Sequence, residues 1–383
     1  MAITLSRLYA DSQRKQNIEL IAGREGLKSL VRWVHMIEDS EVPGFLHGNE
    51  LVFTTGIAHR GTGWLLDFVK NLRLYGAIGL VVNLGPYIAS VPENVIVFCD
   101  ENSFPLFTIP WEMHLIDVTF DYCHRIIANE ERETTIAAAF RGLIFSPENA
   151  QAYAHILERH GFNDRGGYAL MLIKAPGVGG DDWHGLLFRL QNRLNDAERS
   201  FCLFVQQNAL VVVGAGVGRG EMGKYAQALK DELESLGRGT AVHIGISDEA
   251  TGYKEIPVCY REALIASNAA RAMKRGVLRY ADAGMYRIIC AVEDTATLRK
   301  YAEDRLGKIE AYDRAHSTDY LTTLKYYLEN NGSIQKVSRL MRVHRNTVNY
   351  KMKLIRENFG VGCDSKDIAD LWTAFHIREI IDL

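Results

Sequence analysis

Between Val31 and Trp111 short apolar runs recur: VRWVHMI, ELVFTTG, AIGLVVNLG, VIVFCDE and LFTIPW. They are rich in β-branched and aromatic residues and have the length of strands. Between two of them, TGWLLDFVKNLRLYG places Leu65, Phe68, Val69, Leu72 and Leu74 near helical spacing, with Gly76 as a C-cap. Continuously apolar strands that alternate with helices predict a largely parallel, buried sheet. Residues 1–120 therefore read as an α/β domain. Next, Leu115 to Phe145 forms a long proline-free stretch with apolar positions Ile116, Phe120, Cys123, Ile127, Ile136, Phe140 and Leu143. It predicts one long helix that either pairs two subunits or packs on its own domain. Residues 121–160 are expected to be a helical linker.

Residues 161–294 read as strand (GGYALMLIKAPG), helix (WHGLLFRLQNRLND), hairpin (SFCLFVQQNALVVVGAG, turning at Gln206–Asn208), helix, strand, helix. That order is α+β with a central antiparallel element. From 295 to 383 everything reads as helix, and no proline follows Pro257. STDYLTTLKYYLENNG takes Ser317 as N-cap and ends at Gly332. SIQKVSRLM starts at Ser333, with Ile334, Val337 and Leu340 on one face. RVH is a turn, and RNTVNYKMKLIRENF buries Val348, Met352, Ile355 and Phe359. In the last helix Ile368, Leu371, Trp372, Phe375 and Ile380 share one face. The expected fold class is multidomain: an α/β N-terminal domain, an α+β middle domain and an all-α C-terminal domain.

Composition changes this picture little until charge is located. The apolar fraction is 47% and the charged fraction 24%, ordinary for a globular protein. No apolar run approaches the roughly 18–20 residues of a membrane span, and the start reads as no secretory signal. Six scattered cysteines with no C-x-x-C pair argue against a zinc ribbon or a disulfide framework. The chain carries −3 overall, yet Ser333–Arg356 holds seven Lys/Arg and no Asp or Glu, so it carries +7. Two short amphipathic helices joined by a tight turn make a helix-turn-helix. Arg345, Asn346, Asn349, Tyr350 and Lys353 face outward near the start of its second helix. Arg grips guanine and Asn grips adenine by paired hydrogen bonds, while Lys and Tyr suit phosphates. Double-stranded DNA is the expected partner. The DNA-facing set is Ser333, Lys336, His344, Arg345, Asn346, Thr347, Asn349, Tyr350 and Lys353. Many such turns carry Gly where Arg342 stands, so a left-handed backbone there costs on the order of 1 kcal/mol.

DYLTTLKYYLENNGSIQKVSRLMRVHRNTVNYKMKLI resembles the C-terminal helix-turn-helix of the PucR family of bacterial transcription regulators, with its TL..YL....S....A..L.VHRNT..YR pattern. Thr323, Leu324, Tyr327, Leu328, Val343, His344, Arg345, Asn346, Thr347 and Tyr350 match in place. Lys351-Met352 replace the usual Arg-Leu, and Ser338 stands where Ala is usual. GLKSLVRWVHMIED, GNELVFTTG, GAIGLVV and FPLFTIPW are similar to the family's N-terminal domain, which is thought to sense a small metabolite. The resemblance implies a cytoplasmic regulator, an activator or less often a repressor. Its target would be a catabolic operon for purines, amino acids or related nitrogen compounds. It also implies a small-molecule effector, a homodimer or higher homo-oligomer, and contact with RNA polymerase. No membrane partner and no cofactor are expected.

The segment GVGGDDWHG looks like the GGDEF signature of diguanylate cyclases, and the middle domain's element order resembles that fold. The cyclase signature, however, belongs in the turn of the central hairpin. Here that turn reads FVQQNALVVVG, without a carboxylate to hold Mg²⁺. The middle domain thus reads as a degenerate GGDEF-like module with no catalytic residues. A nucleotide-handling enzyme and a protein-binding scaffold are the rival functions. No Walker loop, H-E-x-x-H or G-x-S-x-G occurs. HRGTGW could cradle an anion or be a simple turn. HMIEDSE groups His35, Glu38 and Asp39, more in the manner of strand-end polar residues than of a metal site. Ligands in α/β sheets sit at the C-terminal strand ends. The effector is therefore expected near Glu38, Asp39, Thr54, Thr55, Gly56, Asn83 and Trp111.

Overall fold

The computed structural model describes residues 3–39, 43–59, 61–178, 180–194, 200–217, 220–235, 241–292, 294–362 and 364–381. The N-terminal unit opens with α1 (Leu5–Lys15), where Thr4 Oγ1 accepts from the Arg7 N–H at 3.4 Å. There follow β1 (Glu19–Ala22), β2 (Trp33–Met36), β3 (Glu50–Thr54), α2 (Leu65–Leu74), β4 (Gly79–Leu84), α3 (Glu93–Glu101) and β5 (Leu106–Pro110), then α4 (Leu115–Phe145). The sheet order is β1-β5-β4-β3-β2. Strands β2 to β5 are parallel and β1 is antiparallel at the edge. Val52, Leu80 and Val82 pack on Leu65, Phe68, Leu72 and Val95 from α2 and α3. Leu51, Phe53 and Val81 face the other way, onto Leu5 and Leu8 of α1 and Val118 and Tyr122 of α4. Helices cover both faces, so β3 and β4 have no polar alternation.

One expected strand is a helix. VIVFCDE lies in α3, which begins just after Pro92 at its N-cap. Proline's fixed φ suits that start, and Val95 and Cys99, four apart, are fully buried against the sheet. That packing overrides the strand propensity of Val95, Ile96 and Val97.

Helix α4 has the bounds the sequence predicts, but its apolar residues do not form one stripe. Val118, Tyr122 and Ile126 are buried on the N-terminal sheet. Ile116, Phe120 and Ile127 point to solvent. Further along, Ile136, Phe140 and Leu143 enter the core of the middle unit. One helix thus takes part in two cores. Arg125 fastens it to α1 by donating to the carbonyls of Arg7 and Leu8 at 2.8 and 3.1 Å.

The middle unit comprises α5 (Ala150–Arg159), β6 (Gly167–Lys174), α6 (Gly180–Leu194), β7 (Ser200–Gln206), β8 (Ala209–Ala215), α7 (Glu221–Ser235), β9 (His243–Ile246), β10 (Ala250–Thr251), α8 (Ile256–Ala272), β11 (Val277–Arg279) and α9 (Tyr286–Ile289). Its sheet runs β11-β9-β6-β8-β7, with β10 on the start of β6. The predicted strand–helix–hairpin–helix–strand–helix order is present, and β6 is the central antiparallel strand. Its two faces alternate. Met171, Ile173 and Val212 meet Trp183, Leu190 and Leu229 of α6 and α7. Leu170, Leu172 and Val211 meet Phe140 of α4, Leu157 of α5 and Cys259 of α8.

Arg189 and Arg193 of α6 grip Glu232 of α7 at 2.9 and 2.7 Å. Burial alone would raise this carboxyl's pKa. The two guanidiniums outweigh it and hold the group below its usual 4.5. A depressed folded-state pKa stabilises above the unfolded value, and the contribution is lost as pH falls through the folded one. The thermal midpoint of wild type should therefore exceed that of Glu232→Gln near neutrality, with the gap closing as pH drops below about 4.5. Melts from pH 7 to pH 3 would check this, and a gap independent of pH would contradict it.

The C-terminal unit is all helix: α10 (Thr295–His316), α11 (Tyr320–Glu329), α12 (Ile334–Met341), α13 (Arg345–Phe359) and α14 (Ser365–Ile381). Its core joins Leu306, Leu324, Val337, Val348, Met352, Ile355, Leu371 and Phe375. Ser317 does not cap α11. It ends α10 in the left-handed region at φ 52°, and the cap comes from further back. Asp313 accepts from the Tyr320 and Leu321 N–H groups at 2.9 and 2.8 Å and from Thr318 Oγ1 at 2.5 Å. The unit docks on the middle one through α14, where Ile377 meets Ile289 of α9. Glu379 there accepts from Tyr286 Oη and from Lys325 Nζ, the latter at 2.7 Å.

Candidate nucleic-acid interface

Ser333 caps α12, its Oγ accepting from the Lys336 N–H at 3.4 Å. The buried row of this short helix is Ile334, Val337 and Met341, not the predicted Ile334, Val337 and Leu340. Leu340 is 55% exposed. A seven-residue step returns nearer to the starting face than a six-residue one, so Met341 rather than Leu340 reaches the core. The chain then turns at Arg342, at φ 54° and ψ 40°. Val343 N–H closes the turn on the Ser338 carbonyl at 3.0 Å. His344 caps α13, its Nδ1 accepting from the Asn346 N–H at 3.3 Å. This is the helix-turn-helix expected from the sequence, with the second helix beginning and ending as predicted.

Val348, Met352 and Ile355 fix the roll of α13 by burying one face, and Phe359 is partly buried beside them. Asn346, Asn349, Tyr350 and Lys353 therefore lie along the outer face, with Arg345 and Thr347 on the exposed first turn and His344 exposed just before it. Tyr350 is 62% exposed. Ser333 and Lys336 sit at the start of α12, half-buried and exposed respectively. Not all seven cations of the stretch face outward. Lys351 turns back to Asp319 at the start of α11. Arg356 stays exposed beside Asn349 and Lys353 while donating to Tyr327 Oη at 3.2 Å and lying over its ring. Two other exposed cations, Arg339 and Arg342, belong to the surface but not to the set named from the sequence. The charge run was their signal; their side of the turn could not be read without the fold.

Arg342 holds a conformation that favours glycine. Arg342→Gly should stabilise the chain by up to about 1 kcal/mol, the left-handed cost less the extra freedom of an unfolded glycine. The same change should weaken binding to DNA of any sequence, because a cation is lost. A higher melting midpoint together with weaker binding is the expected pair of results. A lowered midpoint would contradict the strain argument.

At the N-terminal strand ends the expected residues form two groups. Glu38 accepts from Thr55 N–H and Oγ1, both at 2.9 Å, from Gly56 N–H at 2.9 Å and from Thr54 Oγ1 at 3.2 Å. Gly56 has φ 74°, which helps both amides converge on one carboxylate. Asp39 is exposed next to it. Separately, Asn83 Nδ2 donates to the Pro110 carbonyl at 3.1 Å. Trp111 lies over Gly85, where a Cβ would come within 2.4 Å of the indole, and is edge-on to Tyr87 at 5.9 Å. Arg60 of HRGTGW lies outside the described residues, and Gly61 accepts from Trp64 Nε1 at 2.9 Å, as in a local turn. His35 is exposed and joins no metal set: among the described residues no group of three His, Cys, Asp or Glu side chains is placed to hold an ion.

The GGDEF-like run is split from the hairpin. Gly179 is outside the described residues, Gly180 starts α6, and Trp183 is fully buried. The β7–β8 turn is Gln207–Asn208, with Gln207 at φ 53°. Arg141 of α4 reaches the end of this hairpin, donating to the Val205 carbonyl at 3.0 Å. Beside it a cleft of about 830 Å³ opens between Arg32, Glu130, Thr134, Leu187 and Gln207.

Comparison with known proteins agrees with this three-part geometry. Residues 7–126 match the purine catabolism regulatory protein-like family, residues 146–269 a GGDEF-like domain, and residues 320–377 the PucR C-terminal helix-turn-helix domain. The proline-responsive transcriptional activator PutR of Bacillus subtilis is 25% identical over 198 residues, 50% of this chain and 48% of that protein. The purine catabolism regulatory protein of the same organism is 29% identical over 104 residues, 27% of this chain and 20% of that one. The DNA-binding transcriptional activator AdeR, also from B. subtilis, is 27% identical over 140 residues, 36% and 33% of the two chains. The chain spans about half or less of the length of these curated relatives.

Proposed function

We propose that this chain, whose N- and C-terminal segments match PucR-type domains and whose middle segment matches a GGDEF-like domain, is a sequence-specific, ligand-responsive DNA-binding regulator of a catabolic operon. The observation that carries the proposal is the outer face of α13. Arg345, Asn346 and Asn349 are exposed on a helix whose opposite face is fixed by Val348, Met352 and Ile355. The helix is presented by a capped, closed turn. Such a helix can enter a major groove and read base edges, while Lys336, Arg339, Arg342, Tyr350 and Lys353 contact phosphates. Ser333, His344 and Thr347 act closer to the backbone: Ser333 and His344 hold the two helix starts, and Thr347 lies on the first turn of α13.

A homo-oligomer would read two half-sites. RNA polymerase would be met on another face, with activation as the outcome, as the names of PutR and AdeR state for those proteins. The middle domain relays the signal and does no chemistry, because its hairpin turn offers Gln207 and Asn208 where metal-binding carboxylates would be needed.

The effector, a purine-related metabolite or an amino acid, is assigned to the N-terminal strand ends. Asp39 and Trp111 are exposed on the surface there, and Glu38 occupies the Thr54–Thr55–Gly56 amides and hydroxyls until a ligand competes for them. A second reading places it in the cleft beside Arg32 and Gln207, which has the volume of a ligand pocket and lies where two domains meet. Thermal shifts with candidate purines and amino acids, repeated on Trp111→Ala and Leu187→Glu, separate the two. For the central claim, selection from a random duplex pool should enrich a two-fold symmetric site. No enrichment would contradict it.

A further inference from the structure

We propose that a second copy of this chain docks on the outer face of α4 with the two helices antiparallel. The inner face of the helix is fully employed by Val118, Tyr122 and Ile126. On the outer face stand Ile116 and Phe120, 72% and 71% exposed, Cys123, partly exposed, and Ile127, 43% exposed. Single exposed apolar residues are ordinary, but these four recur at steps of four, three and four, the seam of a paired helix. The steps read the same in both directions. A two-fold axis between Phe120 and Cys123 therefore places Ile116 against the partner's Ile127 and Phe120 against the partner's Cys123. A self-complementary patch of this kind is what an isologous contact requires.

Charge selects the antiparallel sense. Asp117 and His124 flank the seam on one side, both exposed. Antiparallel pairing sets Asp117 beside the partner's His124, and by symmetry does so twice. His124 is already oriented by stacking on Phe120, with ring centres 6.4 Å apart. Parallel pairing would instead bring Glu130, the next seam position, onto the partner's Glu130, with Glu131 adjacent. Like charges so placed oppose each other. From Ile116 to Ile127 the seam rises only about 17 Å. That is short for an interface, so the association should be of modest strength and depend on concentration.

This inference deepens the homo-oligomer part of the function proposed above, but its test uses no DNA, so either can fail alone. In a Cys123→Ser parent, Ile116→Cys and Ile127→Cys are made separately. Each is treated with a short bismaleimide alone and after mixing, with the parent as the blank. The mixture should give a crosslinked dimer and each variant alone should not, because like positions lie about 17 Å apart along the axis. Crosslinking of Ile116→Cys with itself would overturn the antiparallel sense. No crosslink in any sample would overturn the docking. Sedimentation over a micromolar series gives a second readout. Wild type should associate, and Phe120→Glu, folded by circular dichroism, should remain monomeric. A monomeric wild type, or a Phe120→Glu that still associates, would also overturn the proposal.

Discussion

Replacing Arg345 and Asn349 together with alanine is expected to weaken binding to the preferred duplex by at least about thirtyfold, while binding to unrelated duplex changes far less. Each well-placed bidentate pair to a base edge discriminates by about 1–3 kcal/mol, and two are removed. Thirtyfold is the lower end of that range, since about 1.4 kcal/mol is a factor of ten. Folding should be untouched, because both side chains are exposed and the roll of α13 is set by Val348, Met352 and Ile355. Removing Lys336 instead should weaken binding to all sequences alike and reduce the salt slope by about 1, the signature of a phosphate contact. Anisotropy titrations on preferred and scrambled duplexes distinguish the two patterns. If the double variant weakens both duplexes equally, α13 positions the protein without reading sequence.

Trp183→Ala should be the most damaging single change in the middle domain, at about 3–5 kcal/mol. Trp183 is fully buried on α6, packed with Met171, Ile173 and Val212 of the sheet and Leu229 of α7. The surrounding backbone is strand and helix and cannot collapse into the space. Trp183→Phe should cost far less. The indole Nε1 is buried without a hydrogen-bond partner among the described residues, so phenylalanine removes a polar group whose burial is itself unfavourable. Urea is expected to unfold a three-part chain in more than one transition, so the middle domain's own midpoint is the quantity to compare. Equal destabilisation by Phe and Ala would contradict the argument that a ring filling most of the site restores the packing.

These two predictions rest on features of different legibility. The helix-turn-helix could be read along the chain because every signal is local: Ser333 as a cap, apolar steps of four and three, and a cation run without acids. The hairpin at Gln207–Asn208 was legible for the same reason. What escaped depends on residues distant in sequence. Asp313 caps α11 across the turn where Ser317 looked sufficient. α3 is helical because Val95 and Cys99 find the sheet, against their propensity. Lys351 leaves the DNA face only because Asp319 is near. At the strand ends the sequence brought Glu38, Thr54, Thr55 and Gly56 together. It could not show that the carboxylate fills the amides itself. The two faces of α4 look identical in apolar content, and only the position of the N-terminal sheet decides which is covered.

The central claim is that α12 and α13 read DNA, and it is tested most directly by titrating the full chain against duplex from upstream of its own gene, beside a scrambled duplex, at two salt concentrations. Saturable binding is expected, tighter for the native sequence and falling steeply as salt rises. Equal affinity for both duplexes, or binding indifferent to salt, would contradict the assignment of this basic surface to DNA.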